Sequence, residues 1–311
     1  MSVVRPRLSL GPISYFWSAD QVRDFYADVA RWPVDIVYLG ETVCSKRRAL
    51  GPEDWLSLSD DLSSAGKEVV ISTLALIEAG SEVGALESLC GNGRYTVEAN
   101  DMGAVQLLAG SPGFVAGPHI NAYNQHTLGL LAGLGVSRWV MPVEVSQEIL
   151  VELQKECPPG LETEVFVFGR MPLAFSARCF TARAHNVGKD ECEFRCKDYP
   201  NGQPLLTQED QPLFTINGIQ LQSATPCNLL AAAPSMREMG IDVLRISPLE
   251  NGTEEAVRAF RDVLDGTLTV EEGEKAIEGL APEGWCNGYW YGEAGMVWQD
   301  ADLDAAVAAL G

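Results

Sequence analysis

Short runs of Val, Ile, Leu and aromatic residues alternate along this chain with stretches whose apolar positions recur every three or four residues. The runs predict strands at Leu8–Ile13, Ile36–Gly40, Glu68–Leu74, Tyr95–Ala99, Phe114–Ile120, Arg138–Glu144, Glu164–Phe168 and Val243–Ile246. The periodic stretches predict helices at Ala19–Arg31, Pro52–Ala65, Ser81–Cys90, Ala104–Leu108, Gln125–Leu134, Ser146–Cys157, Asn228–Met239 and Glu254–Leu264. Strands that are apolar throughout, each followed by an amphipathic helix, belong to a parallel sheet covered on its faces. Eight such units predict an α/β chain of the (β/α)8 TIM-barrel type, a single domain over residues 1–311.

The rhythm breaks once. The first seven predicted strands follow one another at short, fairly even intervals, but the step from Glu164 to Val243 is more than twice the longest of these. The excess predicts an insertion at about 170–225 between strands 7 and 8, containing an irregular Cys-bearing segment and a hairpin at Phe214–Gln222. Loops that follow barrel strands gather at the C-terminal face of the sheet, where active sites are built. After Leu264 the pattern weakens into an irregular tail at about 266–311. It holds a short acidic helix within Gly266–Gly284, the aromatic run Trp285–Tyr291 and a last helix at Asp302–Leu310. The aromatic run is expected on the barrel underside or at a subunit interface.

Composition narrows the partners. With 22 Lys+Arg against 43 Asp+Glu the formal net charge is −21, and the longest basic run is Lys46-Arg47-Arg48. A field of that sign repels polyphosphates and argues against nucleic acid. No run approaches the ~18 apolar residues of a membrane helix. Met1–Leu10 carries Arg5 and Arg7 but no apolar core of a signal peptide, which predicts a cytoplasmic protein. Thiols are kept reduced there, so clustered cysteines point to a metal or to catalysis.

Three of the eight cysteines cluster inside the insertion as Cys179-x12-Cys192-x3-Cys196, among Arg, Glu, Lys and Asp residues that do not suit a core. Three thiols in so polar a segment suggest a cage for a soft metal, against the plain alternative of three unrelated small apolar residues. The best fourth ligand is Cys44, just past the C-terminal end of the second strand, with Cys227 as runner-up. Cys90 and Cys157 end predicted helices on the other face, and Cys286 has no predicted place. The spacing leaves zinc and iron–sulfur open. Structural zinc sites prefer two close pairs of ligands, whereas scattered single thiolates suit a [4Fe–4S] cubane with one Cys per iron.

The run from Phe166 to Cys179 (FVFGRMPLAFSARC) and the run Gly40-Glu41-Thr42-Val43-Cys44-Ser45-Lys46-Arg47-Arg48 resemble the collagenase-like U-family peptidases over essentially the whole chain. Within that family the cysteine spacing is similar to the UbiV-type proteins of oxygen-independent ubiquinone biosynthesis. The resemblance implies a [4Fe–4S] cluster on Cys44, Cys179, Cys192 and Cys196. It also implies a heterodimer with a homologous UbiU-type subunit, ring hydroxylation without O2, and a lipid-carrier protein that presents the quinone precursors. The family also contains peptidases and RNA-modifying relatives, and a cluster that only holds a loop in place is a third reading. HExxH and GxSxG motifs are missing from the sequence.

Polar residues at predicted strand ends are candidates to line a substrate pocket: Glu41, His119, Asn121 and Glu144, with Glu98, Asn100 and Arg245 as others. Rim salt bridges and helix caps are the plain alternative for them. Arg170, Arg178 and Arg183 are candidates to bind carboxylates, or to offset thiolate charge. Of these, the substrate-binding set is Glu41, His119, Asn121, Glu144 and Arg178.

Overall fold

The computed structural model describes residues 5–300, and the expected helix at Asp302–Leu310 lies outside them. Strands and helices alternate from the start: β1 (Arg7–Leu10), α1 (Ala19–Val29), β2 (Ile36–Leu39), α2 (Pro52–Ser64), β3 (Glu68–Ser72), α3 (Gly80–Cys90) and β4 (Thr96–Ala99). They continue with α4 (Met102–Leu108), β5 (Phe114–Ala116), α5 (Gln125–Gly133), β6 (Val136–Val140), α6 (Gln147–Lys155) and β7 (Glu162–Gly169). The insertion adds β8 (Pro172–Phe175), α7 (Phe180–Ala184), β9 (Gln203–Leu206), β10 (Pro212–Asn217) and β11 (Gln220–Ser223). Then follow β12 (Cys227–Asn228), α8 (Ala233–Glu238), β13 (Val243–Ile246), α9 (Thr253–Asp265) and α10 (Val270–Ile277).

Eight strands, β1–β7 and β13, pair in parallel, and β6 pairs with β7, so the ring closes. The expected (β/α)8 barrel is therefore the fold. Closure removes the free edges of the main sheet. The strands are shorter than their apolar runs where turn residues intervene: β5 stops before Gly117-Pro118 and β6 before Pro142. The helix expected at Asn228–Met239 is replaced by β12, a 3-10 turn at Leu230–Ala232 and α8, which starts beside Pro234 because proline is favoured in a helix's first turn.

Alternation along each strand sends one set of side chains outward under the helices and the other into the barrel. The inner set includes Ile36, Tyr38, Val70, Val115, Val140 and Val243, packed on one another. The rest is ionic. Arg245 pairs with both Glu98 and Glu164 at 2.7 Å, and its guanidinium lies 4.0 Å from the Tyr38 ring centroid. Ser9 and Tyr38 donate to Glu164, and Ser72 donates to Glu98. At the other end Arg138 pairs with Glu68 and Glu162 at 2.8 Å. Burial works against the Glu164 carboxylate, but Arg245 and Arg138 outweigh it and hold its pKa below the ordinary value. A buried charge is tolerable only when paired and hydrogen-bonded, and each group here answers another from a different strand. Asn100 Nδ2 donates to Glu98 Oε2 and Thr73 O, so Glu98, Asn100 and Arg245 serve the barrel interior.

The insertion folds into a second, antiparallel sheet in the order β8-β11-β10-β9. The expected hairpin is its centre, with Phe214 opposite Ser223 and Asn217 opposite Gln220. The tail packs elsewhere than on the barrel underside. The Cys286 backbone bridges to that of Cys227 beside β12, which pairs with Phe168 and Gly169 near the C-terminal end of β7. Gln147 N, at the start of α6, donates to Trp290 O. Among the described residues no helix is long and apolar enough to cross a membrane.

Replacing Arg245 with Met should leave Glu98 buried without its cation and Glu164 with only the more distant Arg138, 3.8 Å away. The expected loss in unfolding free energy is about 3–5 kcal/mol by urea titration, and a loss under about 1 kcal/mol would refute the role of the pairing.

Candidate functional site

Three loops converge on one side of the barrel's C-terminal face. In the loop after β2, Glu41 turns its carboxylate back on its own chain and accepts from Val43 N at 2.8 Å and Cys44 N at 3.0 Å. That fold presents Cys44. Further along, Lys46 Nζ donates to Lys189 O at 3.0 Å and pairs with Asp190, while Lys189 pairs with Glu78 at 2.6 Å. The loop is thereby fastened to the short 3-10 helix Lys189–Glu191 that leads directly into Cys192.

Arg47 is the pivot of this junction. Its side chain is 1% exposed. It donates to Ser14 O, in the loop after β1, and to Asn217 Oδ1, at the end of β10, both at 2.7 Å. Asn217 Nδ2 also donates to Ser14 O. The next residue, Gly218, has φ +64°, and a Cβ there would stand 2.7 Å from Arg47 Nη2, so both backbone and neighbour require glycine. Gly218 in turn accepts from Phe180 N and donates to Thr181 Oγ1, seating α7. Cys179 caps α7, with Sγ accepting from Ala182 N at 3.4 Å. Between Cys192 and Cys196, Glu193 and Phe194 both take positive φ (47° and 56°), folding that segment back on itself. Phe194 meets Phe16 from the β1 loop, and the Lys197 ammonium lies over both rings. Trp17 Nε1 donates to Pro200 O.

All four predicted cysteines are therefore on the C-terminal face, half-buried and free. Burial pushes the Cys196 thiol up, Arg47 opposes the rise, and Cys179 and Cys192 add to it. Burial likewise raises Cys44, against Arg47 and Lys189. Among the described residues no three Cys, His, Asp or Glu side chains are gathered closely enough to hold a metal ion as they stand.

A second feature opens across the barrel mouth, a cleft of about 200 Å³ between the ends of β3, β5 and β6 and the insertion strand β8. It brings together three of the predicted substrate residues, His119, Asn121 and Glu144. The half-buried His119 ring meets Phe175 of β8 edge-on, centroids 4.6 Å apart. Tyr123 Oη donates to Glu144 Oε2 at 2.7 Å. The other two candidates lie outside the cleft lining: Glu41 is spent on the Cys44 loop, and Arg178 is exposed beside Cys179.

A sequence profile of peptidase family U32 matches residues 20–300. The chain belongs to peptidase family U32. A solved U32 peptidase is 12% identical, covering 78% of this chain and 92% of its own, with a TM-score of 0.44. Dihydropteroate synthase from Thermus thermophilus is 14% identical, covering 86% and 95%, with a TM-score of 0.41. Sialic acid aldolase from Aliivibrio salmonicida is 11% identical, covering 90% and 79%, with a TM-score of 0.36.

In this U32 chain the buried cation that acts on both Cys44 and Cys196 is Arg47, which in sequence is only the middle of a basic run. Its place shortly after Cys44 was the available signal. Arg170 is occupied elsewhere, donating to Ser223 O and Ala224 O at the end of the insertion. Cys227, the alternative fourth ligand, lies beside Cys286 in the backbone bridge instead. Burial raises both thiols, Cys286 to about 11.

Burial first, and Arg245 second, lower the His119 pKa from 6.5 to about 3. The unfolded chain then binds the extra proton first, so this residue's contribution to stability is complete above about pH 6.5 and falls as pH drops toward 3. Urea unfolding at pH 7 and pH 4.5 should show a smaller acid loss for His119→Asn than for the unaltered protein. Equal losses would refute a neutral, half-buried imidazole.

Proposed function

We propose that this U32 chain is an iron–sulfur protein that holds a [4Fe–4S] cluster on Cys44, Cys179, Cys192 and Cys196. In this reading it acts in the cytoplasm, with a homologous UbiU-type subunit, in O2-independent hydroxylation of a ubiquinone precursor delivered by a lipid-carrier protein. The observation that carries the reading is the fastening of the Cys44 loop to the insertion through Lys46, Lys189 and Asp190. It ties the loop that carries Cys44, from near the start of the chain, to the segment that leads into Cys192, which arises only after the seventh barrel strand.

The donor set suits the group. Four thiols and no imidazole favour a soft, sulfur-rich centre. Among the described residues the buried Arg47 Nε has no hydrogen-bond partner, leaving a free donor beside Cys196. Raised thiol pKa values mean that Cys44 and Cys196 ionise reluctantly alone, so binding iron would release protons and draw the sulfurs together. Bound there, the cluster supplies one-electron transfer. The protein's own part is to hold Cys44 through Glu41, to place a fixed cation beside the thiolates through Arg47, and to keep a ring-sized cleft at the same barrel mouth. The UbiV-like spacing supports the quinone pathway, and the −21 charge speaks against RNA as the target.

Anaerobic purification is expected to yield a brown protein with about four iron and four sulfide per chain. Cys44→Ser and Cys192→Ser should each lose most of the iron while staying folded by circular dichroism. A colourless protein carrying one zinc would overturn the proposal. Cys192→Ser protein that stays partnered and still supports anaerobic hydroxylation would reduce the cluster to a loop staple.

A further inference from the structure

The cleft at the barrel mouth has a definite chemistry. Its walls are the His119 ring, Phe175, Leu173 and Tyr123, and its polar positions are Asn121 and Glu144. At about 200 Å³ it falls below the roughly 300–1,000 Å³ of pockets for drug-sized molecules and matches a single six-membered ring. The edge-on contact of His119 with Phe175 builds an aromatic corner, which favours a further planar ring.

Charge decides what that ring can carry. Among the described residues no Lys or Arg lines the cleft. The nearby cation, Arg245, is held between Glu98 and Glu164 in the barrel interior. His119 is kept neutral by burial and by Arg245. Glu144, exposed at the mouth, brings a negative charge to the entrance, and Tyr123 donates to it. An entering carboxylate would therefore meet an anion and find no counter-charge, in a chain already strongly acidic. A neutral hydroxyl meets polar partners in the imidazole and the Asn121 amide.

We propose that this cleft is the ring-binding site, and that it accepts an uncharged hydroxy-aromatic ring while rejecting aromatic carboxylates. A ring substituent leaves through the open side, beside the exposed Asn121 and Tyr123. The assignment rests on the reading of the chain as a ring-hydroxylase subunit, and gives that reading its substrate class: a precursor whose ring has no free carboxylate.

The test uses p-cresol and 4-hydroxybenzoate at pH 7 with the full chain, followed by saturation-transfer NMR and by the His119 ring resonances. The proposal expects saturable p-cresol binding that shifts the His119 signals, with 4-hydroxybenzoate at least about tenfold weaker. Phe175→Leu should weaken p-cresol about three- to tenfold, and Glu144→Gln should narrow the gap between the two ligands. Because Glu144 is exposed, that variant still reports if Phe175→Leu fails to fold. Equal or tighter binding of the carboxylate, no saturable p-cresol binding, or p-cresol shifts that bypass His119 would each overturn the proposal. Iron content is measured on the same samples. Iron-free protein that binds p-cresol refutes the cluster and leaves the cleft standing, and iron-loaded protein that ignores p-cresol refutes the cleft alone.

Discussion

The buried Arg47 guanidinium ties three segments that are far apart in the chain: the loop after β1 through Ser14 O, the loop after β2 on which it sits, and the insertion through Asn217. A guanidinium taken out of water must find fixed acceptors, since leaving it unpaired costs several kcal/mol. Satisfying it therefore dictates where the insertion lands. Once Asn217 is placed, Gly218 seats α7 and sets Cys179, and the Lys46 clasp sets the approach to Cys192. The same cation that organises the loops is left beside the thiols, with its Nε still free among the described residues.

The barrel beneath makes this junction rigid. Its closed ring has no edge to slip, and its interior ion pairs cross between strands β4, β7 and β13. A ladder shifted by one residue would turn Glu98, Glu164 and Arg245 outward and bring apolar residues of the helix-facing set inward. The inner charges thus fix the register, and the register fixes the height at which the C-terminal loops emerge. The cysteine-bearing segments and the cleft occupy the same mouth because both are built from those loops and from the insertion.

The eight barrel strands were legible because a buried parallel strand is apolar on both faces, and the insertion was legible as a break in spacing. Strands β8 and β9 were not, since short, partly exposed segments such as Pro172–Phe175 and Gln203–Leu206 lack an alternating signature. Three cleft residues could be read from their positions at strand ends. Phe175 could not, because it reaches His119 only through the fold of the second sheet. Arg47 is in sequence only the middle of a basic run, and its burial depends on carbonyl and amide acceptors that no local pattern announces. Cys227 and Cys286 meet across three α-helices, strand β13 and their loops through a backbone bridge, which sequence spacing does not encode.

The central claim is that Cys44 and the insertion cysteines share one metal centre. A crystal structure of the anaerobically purified chain, with anomalous data at the iron edge, tests it most directly. The account predicts a single iron–sulfur cubane with Cys44 Sγ and the sulfurs of Cys179, Cys192 and Cys196 each on a separate iron. Iron or zinc bound by the insertion cysteines alone, with Cys44 turned away, would contradict it.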